Sequence, residues 1–384
     1  LLLVVPLLLF LGFTFVVPVG LVLHRSFYDN AFTKSSPHLE TWFSAHGPQI
    51  TPDEAAFVAL AADLRLMKSN RTAGEAGTRI NYVVPGSRSL FTSAARHIDS
   101  LSPPYAKSLP DQDARWQDPL VWHAMRSASH PYTPDFYLAA LDRQRDNTGD
   151  IVPVPPERRI YLPLFSKTFF FSGFITCLCL ALAFPLAHLL ASLPPARSSL
   201  LMILVLLPFW TSLLVRTSSW IVLLQDQGVV NNVLVSLGLI RDDARLSMIY
   251  NRTGTVVVMT HILLPFMVLP LYSVMRMIDP RYVRAARSLG ATSWTAFRRV
   301  YLPQTLPGIG AGALLVFILS VGYYITPALV GGADGQLISN MIQFHMGNSD
   351  WSLAAALAVM LLTAVMALYW IYDKLIGIDK LKFG

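Results

Sequence analysis

Six runs of about 20 apolar residues constrain this chain more than any other feature. They lie at about 1–23, 168–193, 200–224, 253–277, 307–330 and 351–372. A bilayer core of about 30 Å takes roughly 20 apolar residues in helix. Each run must then be helical, because an unpaired backbone N–H or C=O in lipid is too costly to leave. Pro185, Pro208 and Pro265 fall inside these runs and are expected to mark kinks, the freed carbonyls being satisfied by neighbouring helices. The expected fold class is an all-α membrane protein with six transmembrane helices. The first run is too long for a signal-peptide core and lacks a small-residue cleavage site, so it is expected to remain as a span. The chain starts at Leu1 without a methionine, and a leader or cytoplasmic tail is expected ahead of it.

Charge narrows the function classes. Only 14% of residues are charged, against about 25% in soluble domains. Residues 24–160 hold 15 Lys or Arg and 15 Asp or Glu, so the whole net charge of +7 falls on the remainder. A basic excess confined to the membrane part calls for no nucleic acid, and there is no arginine-rich arm or aromatic RNA-binding signature. Cys177 and Cys179 sit in the second run and read as small residues facing lipid or a helix. The block 24–160 has no cysteine and no disulfide framework. There is no P-loop, no HExxH and no zinc spacing. His24, His123, His130, His188 and His345 are scattered and read as non-ligands. No catalytic residue, metal site or cofactor of the chain's own is expected. The triplets at Asn70 and Asn251 fit a glycosylation pattern that arises often by chance, and they are discounted.

Short loops set the orientation. The connection 276–304 carries Arg276, Arg281, Arg284, Arg287, Arg298 and Arg299. The tail carries Lys374, Lys380 and Lys382, and the turn at Pro194-Pro195 carries Arg197. With six spans all three lie on one side, which the positive-inside rule makes cytoplasmic. Loop 331–350 has no Lys or Arg, although loop 225–252 has Arg241, Arg245 and Arg252. Residues 24–160 then lie outside, between the first span (1–23) and a five-helix core (161–384), and are long enough for a small domain. Thr51-Pro52-Asp53-Glu54 reads as a capping box with proline at the first helical position. Thr133-Pro134-Asp135 opens a second helix, Phe91–Leu101 is a third, and Asn147–Pro156 reads as a proline-rich linker. The block is expected to be a small, mostly helical extracytoplasmic domain.

The segment Arg284 to Gly308 reads RAARSLGATSWTAFRRVYLPQTLPG. It is basic, helix-favouring and broken once by Gly290. Ala285 and Ala286 permit close approach to a groove, and Gly290 allows a sharp change of direction. Pro303 and Pro307 are expected to start the next span. The positive-inside rule explains the arginines but not the ordered spacing of Ala285-Ala286, Gly290, Val300 and Leu302-Pro303. That spacing resembles the loop by which the membrane subunit of an ATP-driven importer grips its ATPase: EAA, three residues, Gly, nine residues, an aliphatic residue, one more, Leu-Pro. Arg284 departs from it, standing where the family usually has Glu. The contact made by that Glu would be lost, replaced or supplied by a second permease. Residues 206–240, 263–279, 323–332 and 340–362 extend the likeness to roughly 165–375. Over that length the chain resembles permease subunits of binding-protein-dependent ABC importers of the spermidine/putrescine type.

The resemblance implies a transport subunit rather than an enzyme, in a bacterial inner membrane, with residues 24–160 in the periplasm. It implies a dimer of ATPase subunits carrying ATP and Mg, coupled through loop 281–304. It also implies a second permease subunit that is a different chain, and a periplasmic solute-binding protein. The implied solute is a polyamine-like amine, with amino acids, 4-aminobutyrate or opine-like compounds as the alternative. The block 24–160 has no counterpart in the short-looped members, and nothing about it carries over.

In the third run Ser212, Arg216 and Ser219 share one helical face. An arginine in a span faces the bundle or a wet cavity. Arg216 either lines the solute path, with Trp210 and Trp220 as aromatic walls and Trp220 in cation–π reach, or is structural, paired to Asp226 or to carbonyls. Tyr323 and Tyr324 either stack on an alkylamine or pack at the interface. Asn231 and Asn232 are expected in a re-entrant or surface turn. The core of the spans has no carboxylate, which weakens the case for a cation; Asp226, Asp242 and Asp243 lie at or beyond the outer edge. A secondary transporter would need buried acids or paired broken helices, and a scaffold would not need the ordered loop.

Overall fold

Five of the apolar runs form uninterrupted helices long enough to cross a membrane: Val5–Arg25, Tyr161–Ser192, Arg252–Met277, Ser293–Gly322 and Trp351–Lys374. The protein is seen here as a computed structural model that describes residues 4–46, 51–146 and 150–376. The third run is not one kinked helix. Pro195–Trp210 and Leu213–Ser236 meet at a bend of 98°, so the total is six only if this bent pair is one span. Pro208 has no N–H to continue a helix. The chain tightens into a 3₁₀ turn over Leu207–Trp210 and turns extended at Thr211 and Ser212.

The fifth span also differs from expectation. It begins at Ser293 rather than near Pro307. Pro303 lacks the N–H that would bond back along the helix, and the chain is π-helical over Phe297–Tyr301 just ahead of it. The span ends at Gly322, and Tyr323 is extended before a separate helix, Ile325–Val330. Tyr323 and Tyr324 therefore occupy a break, not a span interior.

The chain forms two compact units, Leu1–Pro163 with Met341–Leu361, and Leu164–Asn340 with Leu362–Gly384. In the second, Arg252–Met277 packs along Ser293–Gly322 because glycine permits it. A Cβ on Gly308 would stand 3.1 Å from the Pro270 carbonyl oxygen, and one on Gly312 2.7 Å from Met267 Sδ. Ile175, Cys179, Ala183, Leu263, Met267 and Val316 are buried around this contact.

In the first unit, helices Glu54–Asn70, Ala73–Asn81, Ser87–His97 and Pro119–Ala128 enclose Phe32, Leu60, Leu64, Phe91, Trp116 and Trp122. The cap of Glu54–Asn70 is Asp53, not Thr51: its carboxylate accepts from Ala56 N at 2.9 Å. Glu54 does not reach back. It accepts from Tyr105 N and Ala106 N at 2.7 and 2.8 Å, capping helix Tyr105–Gln112 instead. The helix expected over Phe91–Leu101 starts earlier, at Ser87, and tightens to 3₁₀ over Ile98–Ser100. The expected linker carries structure: Arg143–Arg145 pairs antiparallel with Ile151–Pro153. Asn147–Gly149 within it, and Lys380 and Lys382 of the tail, lie outside the described residues. Beside this ribbon Asp142 accepts from the backbone N–H groups of Ile160, Tyr161 and Leu162 at 2.8–3.1 Å, capping the second span.

One buried charge pair organises this unit. Arg79 is 2% exposed, lies over the Phe136 ring at 4.9 Å, and has Asp135 Oδ2 at 3.5 Å. Asp135 also accepts from Ser127 and Arg145 at 3.0 and 3.2 Å. Burial alone would raise the Asp135 carboxyl. The Arg79 charge and the hydrogen bonds around it outweigh burial and hold it below the usual carboxylate range. Removing one partner of a buried pair costs about 3–5 kcal/mol, because the other is left uncompensated. Asp135→Asn should therefore destabilise this unit by about that amount in denaturant unfolding of the full chain in detergent. With the folded pKa depressed, Asp135's contribution is present above about pH 3.9 and lost as pH falls through the folded value. The variant should flatten that acid limb, and an unchanged limb would contradict the assignment.

Candidate functional site

The basic connection is built as a projecting element. Asp279 caps helix Pro280–Ser288 by accepting from Arg281 N at 2.8 Å, with proline at the first position. Arg284 and Ala285 are exposed and Ala286 is half-buried. The helix closes at Gly290, φ +90°, where Gly290 N donates to the Arg287 carbonyl and Ala291 N to that of Ala286, both at 3.0 Å. Nothing lies within 4 Å of a Cβ built on Gly290, so backbone conformation rather than crowding requires glycine. Thr292 then caps the following span, accepting from Thr295 N at 3.2 Å.

Large apolar side chains stand out on this charged element: Leu289 is 89% exposed, Trp294 67% and Tyr282 58%. Apolar groups set in a polar rim mark a contact surface. The other half of the motif anchors it. Val300 and Leu302 are half-buried and Pro303 is exposed, while the neighbouring Tyr301 hydroxyl meets His188 Nδ1 at 2.8 Å. Arg276 closes the base by donating to the carbonyls of Ala191 and Leu193 at 2.9 and 3.1 Å.

The residues read as a solute path divide differently. Ser212 accepts from Val215 N at 3.2 Å and so caps Leu213–Leu224. The Arg216 guanidinium folds back to donate to the carbonyls of Pro208 and Thr211. Arg216 is thus paired to carbonyls, and Asp226 is not its partner; the Asp226 carbonyl accepts from Arg245 at 2.8 Å. Ser219 donates to the Val215 carbonyl at 2.9 Å. Trp220 makes no cation–π contact with Arg216. Its indole N–H donates to His261 Nδ1 at 3.0 Å. Trp220 and Tyr323 pack half-buried on one cluster that includes Leu224, Val258 and Val330. Trp210 and Tyr324 are 75% and 41% exposed. Asn231 is buried and clamps Leu246 through both its backbone groups at 2.9 and 3.0 Å, which pins the turn; Asn232 accepts from Arg245 at 2.8 Å.

His261 escaped the sequence reading. Its signal was a polar side chain in the apolar run 253–277, where such residues face the bundle. His188 is one of the scattered histidines, and its partner Tyr301 lies 113 positions away, beyond the reach of any spacing rule.

An exposed, capped basic helix between two spans of a helical bundle fits the membrane permease subunit of a solute importer. Comparison with known proteins agrees. The sequence pattern of the binding-protein-dependent transport system inner membrane component family matches residues 180–376, and the chain belongs to that family. It is 34% identical over 220 residues to the spermidine/putrescine transport system permease protein PotB of Haemophilus influenzae, across 56% of this chain and 76% of that protein. Against PotB of Escherichia coli K12 it is 38% identical over 207 residues, across 53% and 74%. Its fold is similar to a chain of a bacterial ABC transporter involved in import of the acidic polysaccharide alginate. There the TM-score is 0.51 at 15% identity, across 77% of this chain and 100% of that one.

Gly290→Val should leave the fold intact, since its side chain meets open space, while costing about 1–3 kcal/mol of local strain. We expect unchanged circular dichroism with loss of ATPase co-purification. Co-purification at the wild-type level would contradict the coupling role.

Proposed function

We propose that this permease carries a small organic amine of the polyamine class inward across a bacterial inner membrane. The single observation behind the substrate class is the 34–38% identity to permeases named for spermidine and putrescine. ATP and Mg act on a separate ATPase dimer, which grips Arg284, Ala285, Ala286 and Gly290 on the exposed helix. Val300, Leu302 and Pro303 transmit its motion into the fifth span. A second permease of different sequence completes the path, and a periplasmic binding protein delivers the solute.

Apart from Asp226 on the turn after Leu224 and Asp373 at the end of the last span, the spans carry no carboxylate, so amine recognition here falls to aromatic faces, which attract cations. Trp220 and Tyr323, held on one cluster, form the inner wall; Trp210 and Tyr324 are the exposed outer pair. Arg216, Ser212 and Ser219 hold the broken third span that carries them, and Asp226 lies on the turn beyond. Residues 24–160 face the periplasm and dock the binding protein, with exposed Val58 and Tyr132 as apolar contacts.

Proteoliposomes holding this chain with its ATPase, second permease and binding protein test the reading. Labelled putrescine or spermidine should accumulate on ATP addition, and Trp220→Ala with Tyr323→Ala should cut uptake by about tenfold or more. Uptake of amino acids but not of amines would overturn it. Photo-crosslinkers at Val58 and Tyr132 should capture the binding protein; capture only from the other unit would refute the docking role.

A further inference from the structure

The first unit holds a cavity of about 560 Å³, the size of a small-molecule site. Its lining is charged with both signs. Four guanidinium groups and three carboxylates face it, among them Arg71, Arg79 and Arg88 on one side of the ledger of charge and Asp29, Glu75 and Asp350 on the other. Among the described residues none of these carboxylates forms an ion pair with any of these guanidiniums. Their ion pairs are made with other groups: Arg79 with Asp135, and Asp350 with His345 at 2.8 Å.

Two features say that a partner is missing. The first is Arg79. Its Nε is buried and has no hydrogen-bond acceptor, and its Nη2 has only Asp135 Oδ2, at 3.5 Å. Unmet buried donors are costly, and a guanidinium prefers the two oxygens of a carboxylate. The second is the acidic pair. Burial, with the nearby Asp29 charge adding to it, pushes the Asp350 carboxyl up to about 7. Asp29 and Asp350 line the same cavity, and a cation there would offset their mutual repulsion. Trp351 and Tyr82 add aromatic surface to the same lining.

We propose that this cavity is a ligand site for a small zwitterion, an amino acid or ω-amino acid. Its carboxylate bonds to Arg79 and Arg88, and its ammonium to Asp29 and Asp350. A dication leaves the guanidiniums unmet and adds repulsion; a dianion does the same to the acids. The site lies wholly within the first unit and shares no residue with the proposed solute path, so it does not rest on the substrate reading above.

Three four-carbon probes that differ only in their end groups test this: 4-aminobutyrate, succinate and putrescine. Each is titrated calorimetrically into the full chain in nanodiscs, and only binding lost in Asp29→Asn is assigned to the cavity. We expect 4-aminobutyrate to bind there, and Asp29→Asn and Arg88→Gln each to weaken it about tenfold or more. Both variants should keep the unliganded melting temperature. Preference for succinate or putrescine, no binding of 4-aminobutyrate, or a signal that depends on phosphatidylethanolamine in the disc would each overturn the proposal. Putrescine transport is measured separately, so failure of either reading leaves the other standing.

Discussion

The structure depends on one constraint: backbone polar groups at membrane depth must find partners inside the protein. Two spans break, and each break is sealed by side chains. At the third span, Pro208 and Thr211 lose their helical donors, and Arg216 replaces them while Ser212 caps the helix that resumes. At the end of the fifth span, the Val321 carbonyl accepts from Ser339 at 2.7 Å and that of Tyr324 from Asn340 at 2.8 Å. Breaks sealed in this way let Trp220 and Tyr323 share one cluster, which straight helices of the same sequence would not require.

The same economy shapes the basic connection between Arg252–Met277 and Ser293–Gly322. A short helix between two spans is useful to a partner only if it is stiff and fixed at its base. Asp279 and Gly290 define its ends, Arg276 ties the base to the second span, and the Tyr301–His188 contact anchors the next. What remains exposed is Tyr282, Leu289 and Trp294 among arginines, a surface ready for a complementary groove. Arg284, in place of the usual Glu, lies on this exposed face and makes no ion pair among the described residues.

Much of this was legible in the sequence because membrane helices are specified by length and hydropathy alone. Five spans and the Gly290 turn follow from that and from backbone sterics. The third span differs from expectation because Pro208 ends a helix rather than kinking it. Local sequence does not show whether a proline bends a helix or ends it; the decision came from Thr211, Ser212 and Arg216 acting together. Thr51 and Asp53 are both good caps, and only the docking of Glu54 onto Tyr105–Gln112 selects Asp53. The Trp220–His261 and Tyr301–His188 pairs join distant segments, which no spacing rule reveals. The charged cavity was invisible for the same reason, since it gathers residues near 25–30, 71–88 and 348–352.

The proposed role is conversion of ATP hydrolysis on a partner into solute movement through this chain. The most direct measurement is affinity purification from native membranes in mild detergent, with identification of the co-purifying proteins and an ATPase assay. A P-loop ATPase, a second permease and vanadate-sensitive hydrolysis stimulated by a solute-binding protein are the predicted result. A chain recovered alone and inactive, where a control importer stays intact, would contradict it.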